Sequence, residues 1–211
     1  MRLSGMLCFI KKNNSMIKKL TILSLAFILL SNTNLAFGQN ESTPEINVVY
    51  GKKHIFTIET PSNWINDKAY AEKIGLVCFF YPESDKSKSS KNYFYANGID
   101  KDSPNETLEN FIKGDLETYG EKYPKFTFEK LPIEITGGLR HGVLYSYSNL
   151  SDRFKEEVLY AETDDSFIIF SFSAKTNDEY EKYLAVFDEF IASFNYRGNN
   201  PKPFLEYMKN K

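Results

Sequence analysis

The apolar positions of this chain fall into two rhythms that meet in a single stretch. From Ser166 to Ala174 they alternate. Phe167, Ile169, Ser171 and Ser173 fall on one face of an extended strand, and Ser166, Ile168, Phe170, Phe172 and Ala174 on the other. Large apolar groups occur on both faces, so the pattern predicts a central strand, covered on at least one side and partly on the other. The period then changes. Tyr180, Tyr183, Leu184, Phe187, Phe190, Ile191 and Phe194 recur at spacings of three and four, while Glu181, Lys182, Asp188 and Glu189 fall off the stripe. That is an amphipathic helix with one wide apolar face. Thr176 with Glu179 three residues later makes a capping box, Asp178 and Glu179 suit the positive end of the helix dipole, and Gly198 and Pro201 lie beyond the end. Helical spacing is what core packing demands, so the aromatic stripe is assigned to the core and not to ligand stacking.

The same reading extends along the chain. Ile46–Tyr50 and His54–Glu59 predict two short strands across the turn at Gly51-Lys52-Lys53. Trp64 follows the turn cluster Thr60-Pro61-Ser62-Asn63 and is expected to anchor against the sheet. The run IGLVCFFY, Ile74–Tyr81, predicts a buried strand, and the polar stretch 82–92 a solvated loop. Tyr93–Ile99 resumes as a strand. Ser103-Pro104-Asn105-Glu106 predicts a capped helix start, with Leu108, Phe111, Ile112, Leu116 and Tyr119 on its apolar face and Pro124 as its stop. Four strands follow, 126–135, 139–149, 153–162 and 166–174, joined by the short turns Thr136-Gly137-Gly138, Leu150-Ser151-Asp152 and Thr163-Asp164-Asp165. Short turns make antiparallel neighbours. The expected fold class is α+β, a mainly antiparallel β-sheet flanked by helices on both faces.

The N-terminus changes the picture of compartment. Lys18-Lys19 precede an apolar run, Leu20–Leu30, and Ala36-Phe37-Gly38 offers small residues at the −3 and −1 positions of a cleavage site. This reads as a secretory signal peptide over 1–38, with an apolar run shorter than the roughly 20 residues of a membrane span. Met16 begins a conventional signal peptide by itself, so residues 1–15 are either an over-extended start or a longer n-region. Residues 39–45 read as a flexible linker, 46–196 as a single domain and 197–211 as a C-terminal tail. The expected product is periplasmic or extracellular, soluble after cleavage, without a transmembrane anchor, and a monomer.

Export also changes the charge. The chain has 26 Lys+Arg against 28 Asp+Glu, and the five basic residues before position 39 leave 21 against 28 in the mature part. An acidic exported domain disfavours nucleic acid as a partner, as it does an anionic membrane surface. Cys8 precedes the apolar run and cannot bear a lipoprotein anchor. Cys78 then stands alone, so no intrachain disulfide is expected and the core must hold the domain.

The pieces FTIETPSNW (Phe56–Trp64), the strand with Phe79-Phe80-Tyr81, ETLENFI (Glu106–Ile112), Gly142 within its strand and YLAVFDEFIASF (Tyr183–Phe194) together resemble the PsbP-like group, the Mog1/PsbP/DcrB-type fold. The resemblance covers about residues 46–196 and implies an antiparallel sheet with helices on its two faces. It also implies a mostly non-enzymatic role, that of binding other proteins or helping to assemble complexes, in a group of photosystem accessory subunits, a nuclear-transport GTPase binder and many exported bacterial proteins of unknown role. It transfers no functional residue.

Candidate chemistry is sparse. There is no Gly-x-Ser-x-Gly elbow and no glycine-rich phosphate loop. Cys78 with His54 or His141 is the only conceivable Cys–His pair, and its apolar setting reads as a buried hydrophobe. His54 and His141 lie far apart without ligand spacing, and Asp164-Asp165 near Glu162 lacks the spaced oxygens of a calcium loop. No catalytic, cofactor-binding or metal residue is assigned and no cofactor is expected. The expected function is a non-enzymatic exported domain binding a protein partner or small ligand at the envelope. The alternatives are a hydrolase with an unrecognised site and a metal-binding accessory domain using His54 or His141. A deep cleft of convergent titratable groups with shifted pKa values would favour the enzyme, and a shallow surface with an exposed aromatic would favour binding. The ground around Trp64, the 82–92 loop and the acidic turn is where a site is expected.

Overall fold

The computed structural model describes residues 43–85, 91–134 and 139–210. The segment read as a signal peptide, the first part of the one read as a linker, the middle of the 82–92 stretch and the Thr136-Gly137-Gly138 segment lie outside the described residues. A seven-stranded antiparallel sheet has the order β3-β4-β5-β9-β8-β7-β6. Its strands are β3 (Trp64–Asn66), β4 (Phe80–Pro82), β5 (Tyr93–Asp100), β6 (Thr127–Leu131), β7 (His141–Ser148), β8 (Lys155–Glu162) and β9 (Ser166–Ala174). The four-strand meander is therefore as expected. β9 is the middle strand of the seven, and all nine of its residues are buried, so it is covered on both faces.

Two layers flank the sheet. Helix α3 (Asn177–Ala192) lies on one face, where Tyr183, Phe187 and Phe190 pack on Phe94, Phe170 and Phe172. Its N-cap is the expected one: Thr176 Oγ1 accepts from Glu179 N at 3.2 Å. Beside α3 sits a second, three-stranded antiparallel sheet, β1 (Ile46–Tyr50), β2 (Ile55–Glu59) and β10 (Asn195–Gly198), in the order β1-β2-β10. Phe56 of β2 and Phe170 of β9 both pack on Phe194. The segment read as a tail thus supplies half of β10 and then helix α4 (Lys202–Lys209). His54 ties this sheet to the large one. Its Nδ1 lies 2.8 Å from Asp100 Oδ1, and Asp100 also accepts from the Lys52 and Lys53 backbone N–H groups.

Helix α2 (Leu108–Lys122) covers the other face with Leu108 and Ile112 against Tyr160, Phe167 and Ile169. Helix α1 (Lys68–Lys73) packs on the same face, over Phe79 and Tyr81.

Three expectations need correcting. Ile74–Tyr81 is not one strand. Ile74 caps α1, Gly75 turns the chain at φ 78°, Ile74 and Val77 are exposed, and β4 begins only at Phe80. The sequence around α1 is too short and weakly periodic to declare a helix, and the apolar run beside it mimics a strand. Ser103 does not cap α2. It closes a turn by accepting from Glu106 N, and Thr107 caps instead, accepting from Asn110 N at 3.2 Å. Finally, the ends of the 82–92 segment are not solvated: Pro82 lies in β4, and buried Asn92 joins Glu179 Oε1 at 2.8 Å to the backbone N–H of Lys175 at 2.9 Å.

Candidate functional site

Strand register decides what the α2 face offers. Reading across the sheet, one row runs Tyr93, Ser173, Glu156, Tyr147, Phe128, and the next Tyr95, Ser171, Val158, Tyr145, Lys130. The face carries tyrosines, serines and a glutamate where a plain core would carry aliphatics. α2 crosses it and leaves a concavity on either side.

Between α1 and α2 the concavity has two lobes, about 210 and 320 Å³, which share Tyr93, Tyr95 and Arg153. Arg153 is its centre, and its five N–H donors are all used. Nε and one Nη2 proton grip Asp152 at 2.9 and 3.0 Å. The other Nη2 proton goes to Tyr123 OH at 3.2 Å, and Nη1 reaches Glu156 Oε2 at 2.7 Å and the Tyr93 hydroxyl. Glu156 Oε1 accepts from Ser171 Oγ at 2.7 Å and Tyr119 OH at 3.0 Å. Deeper in, Tyr147 and Tyr160 share a 2.7 Å hydrogen bond, and the Tyr160 hydroxyl donates to Asp115.

The titration of these groups follows from burial and pairing. Burial raises the Glu156 carboxyl above its ordinary value, against the opposing pull of Arg153, Ser171 and Tyr119. Burial likewise raises Asp115, opposed by the Tyr160 hydroxyl. The Arg153 guanidinium holds Asp152 at about 2. Burial and the neighbouring Glu156 push the Tyr119 hydroxyl well above the ordinary tyrosine range. These are the perturbed, convergent groups that would mark an enzyme. Yet each is spent on another member of the network. Arg153 has no donor left for a substrate anion, and both Glu156 oxygens are occupied. The arrangement braces β8, β5, β9 and α2 against one another.

On the far side of α2 the concavity is larger and open. This groove, about 880 Å³, runs between α2 and the β6–β7 end of the sheet. Leu108, Ile112, Leu116, Val143 and Tyr145 give it an apolar lining, and Phe128 stands at its wall with 52 % of its surface exposed. α2 contributes Glu109, Lys113 and Glu117, one residue per turn along its rim, and the sheet contributes Lys130, His141 and Glu162.

The residues weighed in the sequence are dispersed. Cys78 Sγ contacts Ala96 O at 3.4 Å in the core, and burial pushes its thiol up to about 12. A thiol at that value holds no thiolate near neutral pH, and His54 is taken by Asp100, so the structure assembles no Cys–His pair. His141 lies at the start of β7, exposed, in the groove. Among the described residues no group of three or more His, Cys, Asp or Glu is placed to hold a metal. Trp64 is a core residue, stacked on Phe94 with centroids 3.9 Å apart. The acidic turn is engaged: Asp164 pairs with Arg140, and Asp165 Oδ2 accepts from Asn199 at 2.8 Å. Sequence reasoning missed the groove. Its signal was the aromatic content of β6 and β7, Phe128 and Tyr145, with no further helix expected to cover them.

No protein-family model matches the chain. No curated protein matches it either. Among solved structures, the chain is similar to the solution structure of a cyanobacterial PsbP from Synechocystis, with a TM-score of 0.48 and 14% identity over 77% of this chain and 98% of that one. At that identity the likeness concerns the fold alone. No helix among the described residues is long and apolar enough to cross a membrane.

Proposed function

We propose that this chain is an exported, non-catalytic domain that binds a protein partner at the cell envelope, through the groove between α2 and the β6–β7 end of the sheet. The observation that carries the reading is the contrast between the two sides of α2. On one side every perturbed polar group is spent internally. On the other an apolar concavity is left open, with exposed Phe128 at its wall and charged side chains on its rim. A catalytic acid or nucleophile needs a free lone pair or proton aimed at a substrate, whereas in this network Arg153 has all five N–H donors engaged and both Glu156 oxygens already accept hydrogen bonds. An open apolar centre with a polar rim is the layout of a protein-binding surface. Export rests on the signal-like N-terminus, Lys18 to Gly38.

The test is affinity capture from an envelope extract of the source cells, using the tagged chain. Wild type and the control Lys182→Glu, on α3, are expected to retain the same protein. Phe128→Asp is expected to lose it, with an unchanged circular dichroism spectrum. Equal capture by all three chains overturns the reading.

A further inference from the structure

Lys113 sits between Glu109 and Glu117 on the groove-facing side of α2, giving an acidic–basic–acidic row four residues apart. At 1.5 Å rise per residue the row is about 12 Å long. A segment that fits must place apolar side chains over Leu116 and Val143 and bring a basic–acidic–basic row of similar length to α2.

The chain carries such a segment. In α4, Lys202, Glu206 and Lys209 stand at i, i+4 and i+7, one face of an eight-residue helix, and all three are exposed. The row is about 10 Å long. Leu205 lies about 60° round the helix from that row and is only half-buried, so it is the apolar side chain placed to follow the row into the groove. The rows match in either direction. With the helices parallel, Lys202, Glu206 and Lys209 meet Glu109, Lys113 and Glu117. Antiparallel, the order of the lysines reverses and Glu206 still meets Lys113.

We propose that the groove accepts α4 of a second copy of this chain, with the Glu206–Lys113 pair at the centre of the contact. The inference rests on the groove being the docking surface and names its occupant. α4 follows β10, which its pairing with β2 fixes to the small sheet, so each copy presents its own helix from a rigid base. A two-fold axis would seat both helices reciprocally, which closes the assembly as a dimer. Exposed ion pairs are individually weak and screened by salt, so the association is expected to be weak and salt-sensitive.

Sedimentation equilibrium of the mature chain, from about 10 μM to about 1 mM, tests this. Wild type is expected to pass from monomer to dimer across that range. Lys113→Glu and Glu206→Lys should each weaken the dimer by roughly fivefold, since each turns an attraction into a repulsion. The double variant should return to the wild-type constant, because it rebuilds the pair with its signs exchanged. Lys113 and Glu206 are both exposed, and the variants are expected to fold alike. A wild-type mass that stays monomeric to about 1 mM, single variants that dimerise as well as wild type, or a double variant that stays weak each overturns the assignment of α4. If that happens while Phe128→Asp still loses its captured protein, the groove stands as a docking surface and only its occupant is wrong. If Phe128→Asp also captures normally, both fall.

Discussion

Arg153 shows how much of this molecule is decided one residue at a time. In the sequence it is the first residue of an expected strand, next to an aspartate. In the fold it fixes Asp152, Glu156, Tyr93 and Tyr123. Replacing Glu156 with Ala leaves the guanidinium and the hydroxyls of Tyr119 and Ser171 without that acceptor, and should cost about 3–5 kcal/mol in urea denaturation. A loss below about 1 kcal/mol would mean that water fills the place without penalty. The pH dependence separates the two acids. The folded-state pKa of Asp152, about 2, lies below its ordinary 3.8, so the stability it contributes is present above 3.8 and is lost as pH falls towards 2. Glu156 has the opposite sign: burial raises it, so its contribution is fully present below its ordinary 4.5 and is lost as pH rises above that. Asp152→Asn should therefore flatten the loss of stability between pH 3.8 and 2 relative to wild type, read by circular dichroism during acid titration. Gly98 is a second single-residue constraint. A Cβ there would lie 2.3 Å from the His54 Nε2. Gly98→Ala should cost about 1–3 kcal/mol, because the buried ring between Gly51 and Gly98 cannot move aside cheaply.

At the scale of elements, β9 and α3 were legible because two periods, two and three-to-four, operate on large side chains with clear boundaries. Their energetics follow. Phe187 is fully buried among Phe94, Phe172 and Phe190, and Phe187→Ala should lower the unfolding free energy by about 3–5 kcal/mol. Thr176→Ala removes only a cap and should lower it by about 1 kcal/mol. Equal losses for the two would contradict the division between core and cap. What was not legible has physical causes too. In α1 a six-residue helix abuts an apolar run, and local pattern cannot tell strand from buried connection in so short a piece. Asn195–Gly198 is four residues with no apolar alternation, and it becomes a strand only because β2 offers its free edge. The start of α2 moved from Ser103 to Thr107 because two capping signals lie four residues apart and packing of Leu108 selects the second.

The whole molecule is a sheet whose two faces are used differently. The α3 face is an aromatic core to which the meander gives Leu159, Ile168, Phe170, Phe172 and Ala174, and that meander could be read from turn spacing. The α2 face is part core, part polar brace and part open groove. That division depends on where a single helix lies across five strands, which no local pattern encodes. Of the ground where a site was expected, Trp64 is stacked in the core and the acidic turn is engaged, while the open groove arises from regular strands left uncovered. The proposed function puts another protein in the groove and none at the Arg153 network. A photo-crosslinking amino acid placed at Phe128, and separately at Lys182, tests it in living cells. The expected result is a discrete protein adduct from position 128 and none from position 182, whether the partner is a second copy or another protein. No adduct from position 128, or the same adduct from both, would contradict it.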